Sequence, residues 1–208
     1  MKSIKIALTS MFLILSSYAS AVEISSNVGL SSDYIWRGMT QTEGDIAVNG
    51  GFDLSTDMGF YIGTWASNAK YGTATMELDI YLGFSGEMAE NMTYDVGYIS
   101  VIYPGYDAGD FEEAYVAFNI YGLNILYSDG QDSGPSYSEL GYSVDAGPGS
   151  FNISYGEYED TGDNTLVGYD WGIGNFSLGF YYYDFEVNKN NSQGADDDGA
   201  YVSLSRSF

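Results

Sequence analysis

Alternation of apolar and polar residues is the main pattern in this chain, and residues 74–85, ATMELDIYLGFS, show it most clearly. Met76, Leu78, Ile80, Leu82 and Phe84 share one face of an extended chain. A period of two predicts a β-strand with one apolar face. About ten residues is also the length that a tilted strand needs to cross a bilayer. The apolar face is therefore expected to contact either a protein core or lipid.

The same alternation predicts about twelve strands along the chain. Ten or fourteen strands are the alternatives, because Asn49-Gly50-Gly51 resembles a hairpin turn and Tyr121-Gly122 leaves little room for one. The predicted strands cover residues 24–37, 45–54, 59–66, 74–85, 92–103, 111–121, 123–129, 136–145, 150–157, 164–172, 175–186 and 199–208.

The predicted connections differ in length according to their position. Those after even-numbered strands are short, whereas those after odd-numbered strands, such as 104–110 and 187–198, are longer and polar. Outer-membrane barrels have short periplasmic turns and longer extracellular loops. An even number of strands also places both termini on the short-turn side. The pattern therefore predicts an all-β fold, a transmembrane antiparallel up-and-down β-barrel.

Each predicted strand has an outward apolar face and an inward polar face. The inward face carries many carboxylates and hydroxyls, which suit a watery lumen better than a second packed layer. An exported soluble β-sandwich with an aromatic core is the alternative. The outward residues include Val48, Phe52, Leu140, Phe151, Phe180 and Leu204, and the inward residues include Asn49, Asp53, Tyr115, Asn119, Asn152 and Ser203.

Both ends of the chain resemble export and assembly signals. Lys2 and Lys5 precede the apolar run 6–15, and Ala19-Ser20-Ala21 matches a small-x-small cleavage site. Residues 1–21 are therefore predicted to be a signal peptide, with a retained N-terminal anchor as the alternative. Residues 22–208 are predicted to be a barrel domain in the cell outer membrane. The last strand, YVSLSRSF, ends in Phe208 and resembles the signal read by the barrel assembly machinery, although Arg206 is an unusual outward residue.

The composition removes several classes of function. The chain has 29 acidic and 6 basic residues and a formal net charge of −23, which argues against binding nucleic acid. It has no Cys and no His, so disulfides, thiolate metal sites and the commonest proton shuttle are absent. Ser–His catalysis is therefore excluded, and no local motif singles out a pair of catalytic carboxylates. We expect no enzyme activity, no cofactor and no metal centre.

Arg37 is the most informative charge, because no other basic residue lies in the predicted first strand. We expect its guanidinium to face Asp33, Glu77 and Asp79 across a constriction that selects solutes by charge. The alternative is a structural ion pair that ties the first loop to the barrel wall. The pore-lining candidates are Asp33, Arg37, Glu77, Asp79, Asp95, Glu113, Glu139 and Asp170.

A strongly negative lumen favours cations over anions. The alternative is that the carboxylates only hydrate a narrow interior, closed by bulky inward side chains such as Trp65, Tyr81 and Tyr115. Acidic loop clusters at 107–113, 157–163 and 196–198 are candidates for binding Ca²⁺ or Mg²⁺ and, through them, lipopolysaccharide phosphates. None has the spacing of a calcium loop, so a solvated surface is the simpler interpretation.

Several short motifs together resemble one known family. They are Ser32-Asp33-Tyr34, Arg37-Gly38, Thr40-Gln41-Thr42, Gly50-Gly51, Trp65-Ala66-Ser67-Asn68, Glu77-x-Asp79-x-Tyr81, Tyr103-Pro104-Gly105 and the ending SLSRSF. In this combination the chain resembles the TorF-family porins over essentially its whole mature length. The resemblance implies a small outer-membrane β-barrel and supplies no catalytic residues.

The predicted function is passive diffusion of small hydrophilic solutes, with a preference for cations. The expected partners are outer-membrane lipids, lipopolysaccharide, the barrel assembly machinery and small solutes or cations. The main alternative is a non-conducting surface barrel whose acidic loops bind divalent ions, lipopolysaccharide or another cell.

Overall fold

The computed structural model describes residues 21–132, 134–189 and 195–208. Within them, twelve strands close into one antiparallel barrel, which confirms the predicted fold class and excludes the β-sandwich. The alternatives of ten and fourteen barrel strands are wrong, because Asn49, Gly50 and Gly51 lie inside a continuous strand. The predicted signal peptide lies outside the described residues except for Ala21. No helix in these ranges is long and apolar enough to cross a membrane.

Every barrel strand pairs with its neighbour in the chain, and the first pairs with the last. The seam pairs residues 27–31 with residues 203–207. Two further backbone hydrogen bonds extend it, from Ser26 N to Phe208 O (3.1 Å) and from Phe208 N to Ser26 O (2.8 Å). The barrel strands are β1 Val22–Ser31, β4 Ala47–Thr56, β5 Phe60–Tyr71, β6 Ala74–Ala89, β7 Met92–Ile102, β8 Phe111–Ile120, β9 Leu123–Gly130, β10 Tyr137–Ala146, β11 Gly149–Tyr158, β12 Gly162–Ile173, β13 Phe176–Val187 and β14 Asp197–Ser207.

The first predicted strand is too long, because β1 ends at Ser31 instead of residue 37. The chain then leaves the wall and returns to it at β4. Residues 32–46, here called the inward loop, contain two short strands of their own, β2 (Ile35–Trp36) and β3 (Met39–Thr40), which pair only with each other.

The predicted difference in connection length is confirmed for most connections, with exceptions after the third and the ninth barrel strands. After the ninth, only residues 159–161 separate Tyr158 from Gly162. Connections after the even-numbered barrel strands are tight turns, for example between Ala89 and Met92 and between Ile120 and Leu123. The connection after the third barrel strand was expected to be long, yet β5 continues to Tyr71 and β6 starts at Ala74. Gly72 adopts φ 58°, which permits this tight turn.

The outward face is apolar, as predicted, and the inward face is mainly polar. Exposed outward residues include Phe52, Leu140, Phe151, Phe180 and Leu204. The barrel therefore has the reverse of a soluble protein's arrangement, with its large apolar side chains outside. The buried interior instead holds Asp33, Thr42, Ser67, Glu77, Asp79, Glu113, Ser128 and Asn164, together with a small apolar cluster of Ala69, Ala74, Val101 and Tyr103 at the loop end.

Candidate functional site

The inward loop is the feature that shapes the lumen. Its hairpin turns at Arg37 (φ 48°) and Gly38 (φ 81°), and positive φ at both central residues is typical of the tight turns that join paired strands. At Gly38 an added Cβ would lie 2.6 Å from Asn164 Cβ on β12. The tip of the hairpin is therefore packed against the barrel wall at β12.

Arg37 anchors this tip through a buried ion pair. Its two terminal nitrogens donate to the two carboxylate oxygens of Glu113 at 2.7 and 2.6 Å. The side chains of Arg37 and Glu113 are only 8% and 3% exposed. The guanidinium carbon also lies 4.1 Å from the ring centre of Tyr137, 4.7 Å from Trp36 and 5.1 Å from Tyr158. The pair therefore has the bidentate geometry and the aromatic contacts that favour a buried arginine.

The expected partners of Arg37 are wrong. Arg37 lies in the inward loop instead of the first strand, and its ion pair is with Glu113 instead of Asp33, Glu77 or Asp79. Asp33 instead organises its own loop, because Oδ1 accepts hydrogen bonds from the hydroxyls of Thr40 and Thr42, both at 2.7 Å. The alternative interpretation, an ion pair that ties the first loop to the barrel wall, is the one that the structure bears out.

A second contact joins the inward loop to β6. The Tyr34 hydroxyl donates to Glu77 Oε1 at 2.6 Å, and the Tyr103 hydroxyl donates to Glu77 Oε2 at 2.6 Å. Burial, with the neighbouring charge of Glu77, raises the pKa values of the Tyr34 and Tyr103 hydroxyls. Both tyrosine hydroxyls therefore stay protonated and donate hydrogen bonds to the Glu77 carboxylate.

Asp79 lies two residues further along the same inward face and has a different environment. It is 5% exposed, and its Oδ1 is buried without a hydrogen-bond partner. Its cross-strand neighbours are Trp65 on β5 and Val101 on β7, neither of which carries a charge. Asp79 is thus a buried carboxylate with no compensating cation among the contacts of the described residues.

The other predicted carboxylates share one kind of partner, a tyrosine hydroxyl. Asp95 accepts from Tyr61 at 2.6 Å, Glu139 accepts from Tyr137 at 2.8 Å, and Asp170 accepts from Tyr181. A phenol hydroxyl donates a hydrogen bond but carries no charge. These contacts therefore do not neutralise the carboxylates. The tyrosine partners were not predicted, although their inward positions follow from the same period of two.

Luminal tyrosines lie along the barrel wall instead of projecting into the lumen. Tyr61 and Tyr115 are the cross-strand partners of Gly83 and Gly97. A Cβ at Gly83 would lie 2.4 Å from the Tyr61 hydroxyl oxygen, and one at Gly97 would lie 2.5 Å from the Tyr115 hydroxyl oxygen. The rings therefore cover the two glycines, as aromatic residues do when they compensate for strand glycines.

Tyr81 covers Gly63 in the same way and donates to Asp53 at 2.5 Å. Trp65, by contrast, contacts the inward loop, with its ring centre 5.3 Å from that of Tyr34. The narrowing of this lumen therefore comes mainly from the inward loop, and less from Tyr81 and Tyr115 than expected.

Among the spaces that the described residues line, two lie inside the barrel beside the inward loop. One, of about 220 Å³, is lined by Asp33, Ile35, Asn49, Tyr181 and Tyr201 among others. The second, of about 200 Å³, is lined by Ile35, Arg37, Glu139, Asn164 and Tyr201 among others. Both adjoin Ile35 and Tyr201, and each carries at least one of the predicted carboxylates.

The structure brings the predicted residues into two groups and leaves the acidic loops apart. Arg37 meets Glu113, and Glu77 and Asp79 lie side by side beneath Tyr34. Asp33, Asp95, Glu139 and Asp170 line other parts of the interior. Within the described ranges, no three acidic residues are grouped closely enough to hold a metal ion.

Comparison with known proteins gives a family match and similar solved structures. The model of a family described as "Bacterial protein of unknown function (Gcw_chp)" matches residues 16–127. Salmonella typhi OmpF in complex with daunomycin is similar with a TM-score of 0.46 and 8% sequence identity, over 91% of this chain and 98% of that chain. No curated protein matches the chain significantly.

Proposed function

We propose that this chain, which belongs to the Gcw_chp family of bacterial proteins of unknown function, is an outer-membrane channel for small hydrophilic solutes that prefers cations. The observation that carries the proposal is the charge of the barrel interior. Asp53, Asp95, Glu139 and Asp170 are held there by tyrosine hydroxyls. Such a lining attracts cations and repels anions.

The basic residues support the same selectivity. Arg37 is the one basic side chain inside the described part of the barrel, and Glu113 already neutralises it. Lys70 pairs with Glu43 and Asp45 among exposed side chains. Arg206 lies on the outer face, with its guanidinium carbon 4.5 Å from the ring centre of Phe208. The interior therefore keeps a net negative charge.

The location in the outer membrane rests on the outward face. Long alternating strands expose Ile24, Val48, Phe52, Ile80 and Leu204 to the surroundings, and such a surface is stable in hydrocarbon. The proposal includes a cleaved signal peptide at residues 1–21 and assembly directed by the last strand. It also includes the TorF-family porin assignment, which the motifs in the inward loop suggest.

The passage itself is proposed to run beside the inward loop. Tyrosine rings lie against Gly63, Gly83 and Gly97 on the wall. The two spaces next to Ile35 mark where small solutes would pass. The proposed channel is therefore narrow, with the inward loop as its constriction.

Single-channel recording in planar bilayers tests this function. With a KCl gradient, the wild-type protein is expected to conduct and to give a reversal potential of cationic sign. Glu77→Ala should weaken the cation preference, whereas Arg37→Ala should strengthen it and enlarge the conductance. Glu112→Ala, at an exposed residue on the outward face, is the matched control. Absence of conductance, or preference for anions, would reject the proposal.

A non-conducting barrel is the second candidate, and the inward loop is the observation that favours it. Hydrogen bonds from Tyr34 to Glu77 and from Thr40 N to Asp197 Oδ2 (2.9 Å) hold that loop across the lumen. In this case the acidic loops would serve as a surface that binds divalent ions or lipopolysaccharide. Planar bilayers that show no conductance with the protein, together with Mg²⁺-dependent binding of the protein to lipopolysaccharide, would support this candidate.

A further inference from the structure

Burial of the Glu77 and Asp79 pair has an electrostatic cost that the proposed channel function leaves unexplained. Both side chains lie on the inward face of β6 and are only 3% and 5% exposed. Glu77 has two hydrogen-bond donors, whereas Asp79 Oδ1 is buried and has none. Burying two neighbouring carboxylate charges without a cation is strongly unfavourable. One of the two therefore requires a positive charge.

The groups around Asp79 do not supply that charge. The titratable groups that interact with it are Glu77 and Tyr81 on its own strand, Tyr34 from the inward loop and Tyr103 from the segment after β7. From β5 and β7 the cross-strand neighbours are Trp65 and Val101. The nearest candidate cation on the inward loop, Arg37, is already bound to Glu113.

A proton is the simplest compensating charge at this place. Ca²⁺ takes about six to eight oxygen ligands. Both Glu77 oxygens already accept hydrogen bonds from Tyr34 and Tyr103, so only the Asp79 carboxylate has free oxygens, too few for such a site. A protonated Asp79 instead leaves one net negative charge on the pair, and Tyr34 and Tyr103 stabilise it.

We infer that Asp79 is protonated while the inward loop is seated, and that its ionisation releases the part of the loop around Tyr34. The coupling is direct, because Tyr34 covers the pair through its hydrogen bond to Glu77 and its edge contact with Trp65. When Asp79 loses its proton, the second negative charge is stabilised only if water reaches the pair. Movement of Tyr34 admits that water.

The direction of the pH effect depends on whether the seated or the released state of the inward loop holds the proton. The seated state binds one more proton than the released state, so low pH favours the seated loop and rising pH favours release. A single coupled proton changes the ratio of released to seated loop by at most about tenfold per pH unit. In the proposed channel, which this inference takes as its setting, conductance therefore increases with pH.

Tryptophan fluorescence tests the inference without relying on conductance. Trp65 lies opposite Asp79 and against Tyr34, Trp36 lies in the inward loop, and Trp171 is exposed on the outer face. In a Trp171→Phe background, acrylamide quenching of the refolded protein in detergent micelles should rise with pH along a one-proton curve. Asp79→Asn, which imitates the protonated acid, should show weak quenching at every pH.

Two further variants make the result decisive. Glu77→Gln removes the neighbouring charge and should move the transition to lower pH, which keeps the inference testable if Asp79→Asn fails to fold. Asp95→Asn, at a luminal carboxylate held by Tyr61, should leave the transition in place. Quenching that does not depend on pH in the wild type, or an unchanged transition in Asp79→Asn, overturns the inference.

Conductance measured against pH separates this inference from the channel proposal. If the fluorescence transition occurs and the bilayers show no conductance, the channel function fails and the titration of Asp79 stands. If bilayers conduct equally at every pH and quenching is flat, the channel stands and the inference fails.

Discussion

At the scale of single residues, Arg37 determines where the inward loop lies, because its guanidinium and the Glu113 carboxylate neutralise each other inside the barrel. Arg37→Ala leaves Glu113 buried without its partner. Removing one member of a buried pair costs about 3–5 kcal/mol. We expect a loss of this size in the free energy of unfolding, measured by urea titration of the refolded protein in micelles.

An exposed ion pair is the natural control for Arg37. Lys70 contacts Asp45 at 2.7 Å and Glu43 at 3.3 Å, and all three side chains are exposed. Surface pairs of this kind contribute little to stability, so Lys70→Ala should unfold at nearly the wild-type urea concentration. Equal losses in the two variants would mean that the Arg37 pair does not hold the loop.

Variants at two glycines in the inward loop distinguish the energetic cost of backbone strain from that of disturbed packing. Gly38 (φ 81°) and Gly44 (φ 77°) both have positive φ, yet an added Cβ meets Asn164 at 2.6 Å in the first case and nothing within 4 Å in the second. Gly44→Ala should cost about 1 kcal/mol from strain alone. Gly38→Ala should cost about 1–3 kcal/mol more, because the hairpin tip must leave the wall. Urea unfolding of both variants compares the two costs, and equal values would contradict the packing of this tip.

At the scale of elements, the inward loop is separable from the barrel. The twelve wall strands pair with one another, and β2 and β3 pair only with each other. Replacing residues 33–45 with a short Gly-Ser turn should therefore preserve the closed barrel, seen as a heat-modifiable band on gels. Single-channel conductance should rise several-fold, because the main obstruction in the lumen is gone. A variant with an intact gel shift and unchanged conductance would place the constriction elsewhere.

The wall strands were predictable from sequence because each one faces two different environments. A period of two persists wherever lipid lies on one side and the lumen on the other, and all twelve predicted wall strands are present. The inward loop breaks this rule. Residues 32–37 continue an extended, aromatic-rich stretch, and local alternation does not reveal that β2 pairs with β3 instead of with the wall.

In the candidate site, too, some features could be predicted from the sequence and others could not. The inward positions of Glu77, Asp95, Glu139 and Asp170 follow from strand periodicity alone. The partner of Arg37 does not, since Glu113 is 76 residues away and meets it only across the lumen. Which residues face each other across a barrel depends on strand tilt and on the path of the loop, and neither is encoded in a local pattern.

At the scale of the whole molecule, the position of a charge matters more than the net charge of −23. Inward acids are held near the passage by tyrosines that lie on wall glycines, whereas many other acids face outward at the loop end. Glu112, Asp129 and Glu157 are exposed on the outer face of β8, β9 and β11. Ion selectivity should therefore depend on the inward acids, although each outward acid contributes as much to the net charge as each inward one.

Two matched triple variants test that distinction. Asp95→Asn with Glu139→Gln and Asp170→Asn removes three inward charges, and Glu112→Gln with Asp129→Asn and Glu157→Gln removes three outward ones. The permeability ratio of K⁺ to Cl⁻, obtained from reversal potentials in a KCl gradient, should fall several-fold in the first variant because charges near the permeating ion act at short range in a narrow pore. It should stay near the wild-type ratio in the second, since the outer charges lie outside the passage and are exposed, so that salt screens them. Equal falls in both variants would mean that the net charge of the molecule, and not the carboxylates along the passage, decides which ions enter.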